Sequence, residues 1–349
     1  MADTAKLCER PLAVRCGAFG DMVLLTALIR ELTLRFQRPV DIVTSGPWSE
    51  PLLRGQPGVG DIFTVRSRKT PYWLSIDQHR VVRELRARGA GPAWFCDGND
   101  AAKPMLWRAG FGAELIVDVK DHALLPGEHA TEQWRRLARI VPAALHAREF
   151  DDAGVLPGCY LQVSEDQRSD LQAWLRARGL HGKPLIAIQP GNKRTMRRGL
   201  RRLAVNSKYW PAERWAEVLR FVHAARPLHT IVLLGTGPEY ALNQQIASLA
   251  GVDRLHNAAD DLPIPRLVAL LAHADGLISV DSGPAHAAAA VGCPQVVLFG
   301  KALVSLYRPR GVAGADVKVL CGKLDGEPNM LGIQSGEVIK AWESLILRR

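Results

Sequence analysis

Three short segments of this chain place glycine and an acid where an apolar run gives way to a helix. Such a junction can hold an anion or a proton acceptor. Asp281-Ser282-Gly283-Pro284-Ala285-His286 follows the apolar run at 277–280 and leads into a helical stretch at 285–291. The first backbone N–H groups of a helix have no partner within it and lie at the positive end of its dipole, so they attract phosphate. Capping alone would need only one of Asp281 and Ser282, and neither Gly283 nor His286, which favours an anion site. Gly17-Ala18-Phe19-Gly20-Asp21 stands at the same place after the run at 12–16. Its glycines allow a tight turn and the close approach of a ligand. Asp21 reads either as a first-turn acid favoured by the dipole or as a carboxylate that takes a proton from a substrate hydroxyl. Gly235-Thr236-Gly237-Pro238-Glu239 is the third such turn. Glu239 could accept from ribose hydroxyls, or it could be an exposed first-turn acid.

A different signal comes from residues 193–202, which pack six positive charges into ten residues, with Lys208 close behind. A charge run is usually a solvated face. This one directly follows the strand-like run at 185–189 and Pro190-Gly191, where ligands of open α/β sheets bind, so Lys193 and Arg194 are candidate phosphate contacts. Other chemistries lose their usual support. No two Asp residues stand two apart, so the D-x-D that anchors a metal–diphosphate bridge is missing, and no metal site is expected. No H-E-x-x-H, G-x-S-x-G or P-loop motif exists, and no two of the six cysteines stand three apart.

The elements that must position these residues alternate. Strand-like runs at 12–16, 40–44, 62–65, 93–96 and 115–117 form a first set, and runs at 185–189, 230–234, 277–280 and 295–299 a second. Between them, Leu25, Leu28, Ile29 and Leu32 fall at helical spacing, as do Trp215, Val218, Leu219 and Val222 after Pro211, placed in a first helical turn. Alternation of this kind implies βαβ units and parallel sheets. With 349 residues, two domains are expected, joined at the Gly/Pro-bearing stretch 151–164. Residues 335–347 read as an amphipathic helix that could pack anywhere, including back on the first domain. Composition is globular, with 47% hydrophobic and 23% charged residues, and the net charge of +10, with a pI of about 9.6, suits polyanionic partners. No window is long and apolar enough to span a bilayer, and the first ten residues lack a secretory core, so a cytoplasmic protein is expected.

These turns, in this order, resemble glycosyltransferase family 9, the ADP-heptose–lipopolysaccharide heptosyltransferases. The resemblance rests on the motif from Arg15 to Asp21, on Lys208-Tyr209-Trp210-Pro211-Ala212-Glu213-Arg214-Trp215, and on the motif from Asp281 to His286 with Gly292-Cys293-Pro294 and Phe299-Gly300. It implies an α/β GT-B fold, two Rossmann-like domains with parallel sheets facing a central cleft. Residues 1–160 would take the acceptor and residues 161–349 the nucleotide sugar. The reaction implied is inverting, metal-independent transfer of a heptose to a lipopolysaccharide-type acceptor, with no cofactor. Asp21 becomes the general base, and Lys208, Glu239, Asp281, Ser282, Gly283 and His286 become donor contacts. Arg66, Arg68 and Lys69 would meet an acidic acceptor. The partners implied are ADP-heptose and an anionic glycan or glycolipid, with peripheral contact at the inner face of the plasma membrane and no nucleic acid. The basic stretch at 193–202 is longer than expected of the enzymes acting on the inner core. Two other readings stay open. Asp41 lies about 20 residues beyond Gly20, as in nucleotide-cofactor oxidoreductases, and the basic stretch could bind nucleic acid.

Overall fold

A computed structural model of the protein describes residues 8–145, 158–192 and 208–347. The chain divides into two units, Met1–Gly158 and Cys159–Arg349. The division falls within the expected connection at 151–164, part of which lies outside the described residues.

The first unit runs β1 (Leu12–Arg15), α1 (Phe19–Phe36), β2 (Val40–Thr44), α2 (Ser49–Leu53), β3 (Val59–Thr64), α3 (Ile76–Arg88), β4 (Ala93–Phe95), α4 (Lys103–Arg108), β5 (Ile116–Asp118) and α5 (Ala130–Arg139). Among the described residues its five strands form one parallel sheet in the order β3-β2-β1-β4-β5. The four periodic residues of α1 (25, 28, 29 and 32) are all buried, each contributing about 1.5–3 kcal/mol of transfer free energy. Glu31 on the same helix is buried too, and it ties α1 to α5 through Arg139 at 2.8 Å and Arg135 at 3.5 Å. Every residue of β2 is buried, as in a strand covered on both faces.

One of those buried residues is Asp41. It pairs with Arg88 at 2.5 Å and Arg10 at 3.2 Å, and it accepts the Asp61 N–H at 2.9 Å. Its register partner is Leu12, the first residue of β1, so it sits at the end of the sheet opposite Gly17. The carboxylate is therefore spent on the core, and the ribose contact an oxidoreductase would need is not available from it.

The second unit runs α6 (Glu165–Ala177), β6 (Leu185–Gln189), α7 (Ala212–Ala225), β7 (Thr230–Leu233), α8 (Tyr240–Ala250), β8 (Leu255–Asn257), α9 (Ile264–His273), β9 (Gly276–Val280), α10 (Gly283–Ala290), β10 (Gln295–Phe299), α11 (Val304–Tyr307) and β11 (Val317–Cys321). A short hairpin of β12 (Lys323–Leu324) and β13 (Glu327–Pro328) and the helix α12 (Ser335–Glu343) follow. Its main sheet is parallel, in the order β11-β10-β9-β6-β7-β8. Strands β8 and β11 are additional to those the apolar runs indicate. The three residues of β8 are only half-buried, and β11 alternates Val317 and Val319 with Lys318 at the sheet's edge. Pro211 is the cap residue before α7 rather than part of its first turn.

The terminal helix packs within its own unit, one of the places the sequence left open. Val338, Trp342 and Leu345 are buried in the core of this second unit, where α12 meets α7 and β10. It packs here because the far side of the sheet needs an apolar cover, which these three side chains supply.

Each sheet changes winding direction once, between β1 and β4 and between β6 and β9. Ligands of open parallel sheets bind at the carboxyl ends of the strands beside such a point. The turns at 16–21 and 281–283 follow those strand ends.

Candidate active site

At the first switch point, the turn after β1 closes around Asp21. Oδ2 of Asp21 accepts the Ala18 N–H at 2.7 Å, and Oδ1 accepts from Arg15 at 3.0 Å. One oxygen thus serves the helix start, as a first-turn acid does, and the other is held by a cation. Arg15 donates in turn to the Cys96 carbonyl at 2.6 Å and stacks over the Trp134 ring at 5.5 Å. A Cβ at Gly17 would stand 2.4 Å from the Asp21 Cβ, so only glycine lets this carboxylate fold back over the turn. About a third of the Asp21 side chain remains exposed, leaving it within reach of a ligand.

A second layer holds the turn. Asp97, just beyond β4, accepts the Cys16 N–H at 2.8 Å and pairs with Arg68 at 2.7 Å, while Arg68 also donates to the Cys16 carbonyl at 3.2 Å. Trp48 donates its indole N–H to the Gly17 carbonyl at 3.1 Å. Burial, with the nearby Asp97 charge, pushes the Cys16 thiol up to about 12, so it stays protonated and is not a nucleophile. Arg15 and Asp97 have no role in the sequence reading. The signal for Asp97 was its place directly after a strand, but its partners lie 81 and 29 residues away.

At the second switch point, Asp281 follows β9 and Ser282 occupies the position before α10. The Ser282 hydroxyl bonds to Ser279 at 2.9 Å and makes no capping bond to the helix. The Asp281 carboxylate is likewise not a cap. It pairs with Lys208 at 2.5 Å, and Lys208 also donates to the Asp281 carbonyl at 3.2 Å. Lys208 thus adds a full positive charge beside a helix N-terminus, with Asp281 as its counterion. His286 is buried one turn into α10, and the buried Gln295 fixes that turn through the Ala285 carbonyl at 2.9 Å.

The tryptophans of the 208–215 motif explain its spacing. Trp210 and Trp215 are fully buried and meet edge to face at 4.9 Å, and Trp210 donates to the Ile333 carbonyl at 2.9 Å. They anchor the segment in the core and thereby deliver Lys208 to α10.

Glu239 is buried, only 3% exposed, not a solvated first-turn acid. One oxygen accepts from the Thr236 N–H at 2.9 Å and hydroxyl at 2.8 Å, and the other from Gln189 at 3.2 Å. Burial pushes its carboxyl above the usual range, against the opposing pull of the Thr236 bonds. A Cβ at Gly191 would meet its Oε1 at 2.4 Å, so Gly191 is what admits the carboxylate beside the end of β6.

Of the three cations expected to meet the acceptor, Arg68 is engaged with Asp97, whereas Arg66 and Lys69 are exposed. Lys193 and Arg194, with the whole stretch 193–202, lie outside the described residues. Among the described residues no three His, Cys, Asp or Glu side chains gather as metal ligands.

Two parallel α/β units, each presenting a turn and a helix N-terminus at its switch point, have the architecture of the GT-B fold. A family model for glycosyltransferase family 9 (heptosyltransferase) matches residues 105–320, which include Lys208, Glu239 and the Asp281 turn. The chain belongs to glycosyltransferase family 9. Lipopolysaccharide heptosyltransferase 2 of Salmonella typhimurium is 22% identical over 320 residues, covering 87% of this chain and 86% of that protein. The structure of E. coli ADP-heptose lps heptosyltransferase II aligns with a TM-score of 0.71 and 19% identity, covering 96% of this chain and 98% of that one. That of a family 9 glycosyltransferase from Veillonella parvula aligns at 0.74 and 19%, covering 96% of each chain.

Proposed function

We propose that this glycosyltransferase moves a heptose from ADP-heptose to an anionic, lipopolysaccharide-type acceptor, with inversion and without a metal ion. The observation that carries the reading is the pairing of Lys208 with Asp281 at the start of α10. A lysine ammonium and a helix N-terminus together are built for a diphosphate. They offer the charge stabilisation that a D-x-D-bound metal would otherwise supply to the departing nucleoside diphosphate.

In this reading the second unit holds the donor through Lys208, Ser282, Gly283 and His286, with Asp281 and Glu239 as hydrogen-bond acceptors. The first unit offers Asp21 as the base. An acceptor hydroxyl attacks the anomeric carbon as the sugar–diphosphate bond breaks, through an oxocarbenium-like transition state. The hydroxyl becomes acidic as it attacks, so its proton passes late to a carboxylate oxygen of Asp21. Each of those oxygens accepts a single bond within the turn and keeps a further lone pair. A single displacement with one base inverts the anomeric configuration. Arg66, Arg68 and Lys69 supply positive charge on the acceptor side.

The relatives' heptosyltransferase names support heptose as the sugar and lipopolysaccharide as the acceptor class. The test is incubation with a panel of ADP-, UDP- and GDP-sugars and a heptose-deficient lipopolysaccharide acceptor, in the presence of a chelator. Mass spectrometry should show ADP release matched by one added heptose, and NMR should show the opposite anomeric configuration in the product. Transfer from a different nucleotide sugar, or activity lost to the chelator, would defeat the assignment.

A further inference from the structure

The loop between β3 and α3, with the first residue of α3, exposes three large apolar side chains within four residues: Trp73 at 75%, Leu74 at 58% and Ile76 at 85%. Their exposure is not a matter of slack. The buried Gln78 side chain donates to the Ser67 carbonyl at 3.0 Å and the Thr70 carbonyl at 2.8 Å, closing the loop on itself. Ser75 caps α3 by accepting the Gln78 N–H at 3.3 Å. The Tyr72 ring is clamped between His79 at 4.1 Å and the Arg108 guanidinium at 4.4 Å. The loop is thus pinned in a shape that turns its greasiest residues to solvent. An apolar patch held open in this way marks an interaction surface.

Charge identifies the partner. Residues 66–86 carry six Arg and Lys against two acids. Lys69 is exposed on the loop, and Ile76, His79, Arg83 and Arg86 follow one another at spacings of three and four along the exposed stripe of α3. An apolar tip containing Trp, backed by a basic helical stripe, matches the headgroup boundary of an anionic bilayer. Among the described residues no helix is long and apolar enough to cross a membrane, so the contact would be peripheral.

We infer that Trp73, Leu74 and Ile76, with Lys69, Arg83 and Arg86, form a docking surface for an anionic lipid bilayer. The apolar side chains enter the headgroup region and the cations meet lipid phosphates. The inference rests on the transferase reading for its purpose, because the same loop reaches inward to the catalytic turn. Its Arg68 bonds to Asp97 and to the Cys16 carbonyl, five residues before Asp21. A bilayer against the outer end of the loop would place a lipid-anchored acceptor next to the edge of the sheet that carries the base.

The test is flotation of the whole protein with vesicles, without any sugar nucleotide. The protein should float with phosphatidylcholine containing roughly a third phosphatidylglycerol, and not with phosphatidylcholine alone. Trp73→Ser with Ile76→Ser should weaken partitioning at least about tenfold, and Arg83→Glu with Arg86→Glu should abolish it at moderate salt. Leu74→Ser serves as an independent apolar variant, and an unchanged Tm shows that each variant is folded. Transfer to a delipidated, soluble acceptor fragment should be the same in the Trp73/Ile76 variant as in the wild type. Failure of the wild type to float, or equal floating of the variants, overturns the surface while leaving the transferase reading intact. Loss of transfer to every acceptor, with floating retained, overturns the reading and not the surface.

Discussion

Replacing Lys208 with alanine tests how the second unit holds a diphosphate. The ammonium sits 2.5 Å from Asp281 and beside the first turn of α10, where the proposed donor site would put it in direct contact with a bound diphosphate. A unit charge pair at 4 Å is worth about 4 kcal/mol at an effective dielectric constant near 20. A quarter of the Lys208 side chain is exposed, and solvent and salt reduce the value to about 2–3 kcal/mol. The expected loss of ADP affinity is therefore roughly 30- to 150-fold. Part of that loss should come from Asp281, which is 8% exposed and would face the diphosphate without its counterion. Adding Asp281→Asn to Lys208→Ala should then restore affinity severalfold, with a coupling of about 1–2 kcal/mol in the double-mutant cycle. Isothermal titration with ADP at two salt concentrations measures all four corners, and the salt dependence should flatten in Lys208→Ala. An affinity within about threefold of wild type in that variant, a change under 1 kcal/mol, would refute the reasoning. So would the absence of any recovery in the double variant.

Other predictions follow from neighbouring contacts. Asp97→Asn removes the charge that holds Arg68 and loosens the turn carrying Asp21. It should lower kcat by roughly 10- to 100-fold while leaving ADP affinity unchanged, a split visible in steady-state kinetics and titration. Asp41→Ala leaves the buried Arg88 guanidinium unpaired and should cost about 3–5 kcal/mol in urea unfolding. Replacing both with apolar residues (Asp41→Leu with Arg88→Met) should recover most of it. Glu239 has its folded-state carboxyl raised by burial, so its contribution to stability is fully present below the ordinary glutamate range and is lost as pH rises through the raised value. The Tm of Glu239→Gln relative to wild type should therefore climb as pH rises through that window. A flat or falling difference would contradict the assignment.

Much of the architecture was legible because it repeats locally. Apolar spacing of three and four marks α1 and α7, and short β-branched runs mark the central strands, so the parallel sheets and the turns at Asp21 and Asp281 could be read directly. Edge elements were harder. Strand β8 has three half-buried residues and no apolar alternation, and α12 is amphipathic without naming the surface it covers. At the site, the residue types were legible but the partners were not. Asp21 bonds a cation six residues away, whereas the Asp97 clamp spans 81 residues and Lys208 meets Asp281 across 73. Glu239 could not be told from an exposed first-turn acid, because its burial depends on Gly191 lying against it from beyond the end of β6. Trp210 and Trp215 were visible as a motif, and only the packed core shows that they place Lys208.

If Asp21 is the base in sugar transfer, its replacement should separate transfer from donor binding. The most direct measurement is single-turnover transfer from ADP-heptose by Asp21→Asn, alongside its affinity for ADP. Asparagine keeps an oxygen for the Ala18 N–H, so the start of α1 should survive while the base is lost. The prediction is a fall in transfer of about 10²- to 10⁴-fold with ADP affinity unchanged. Transfer at the wild-type rate would contradict the account.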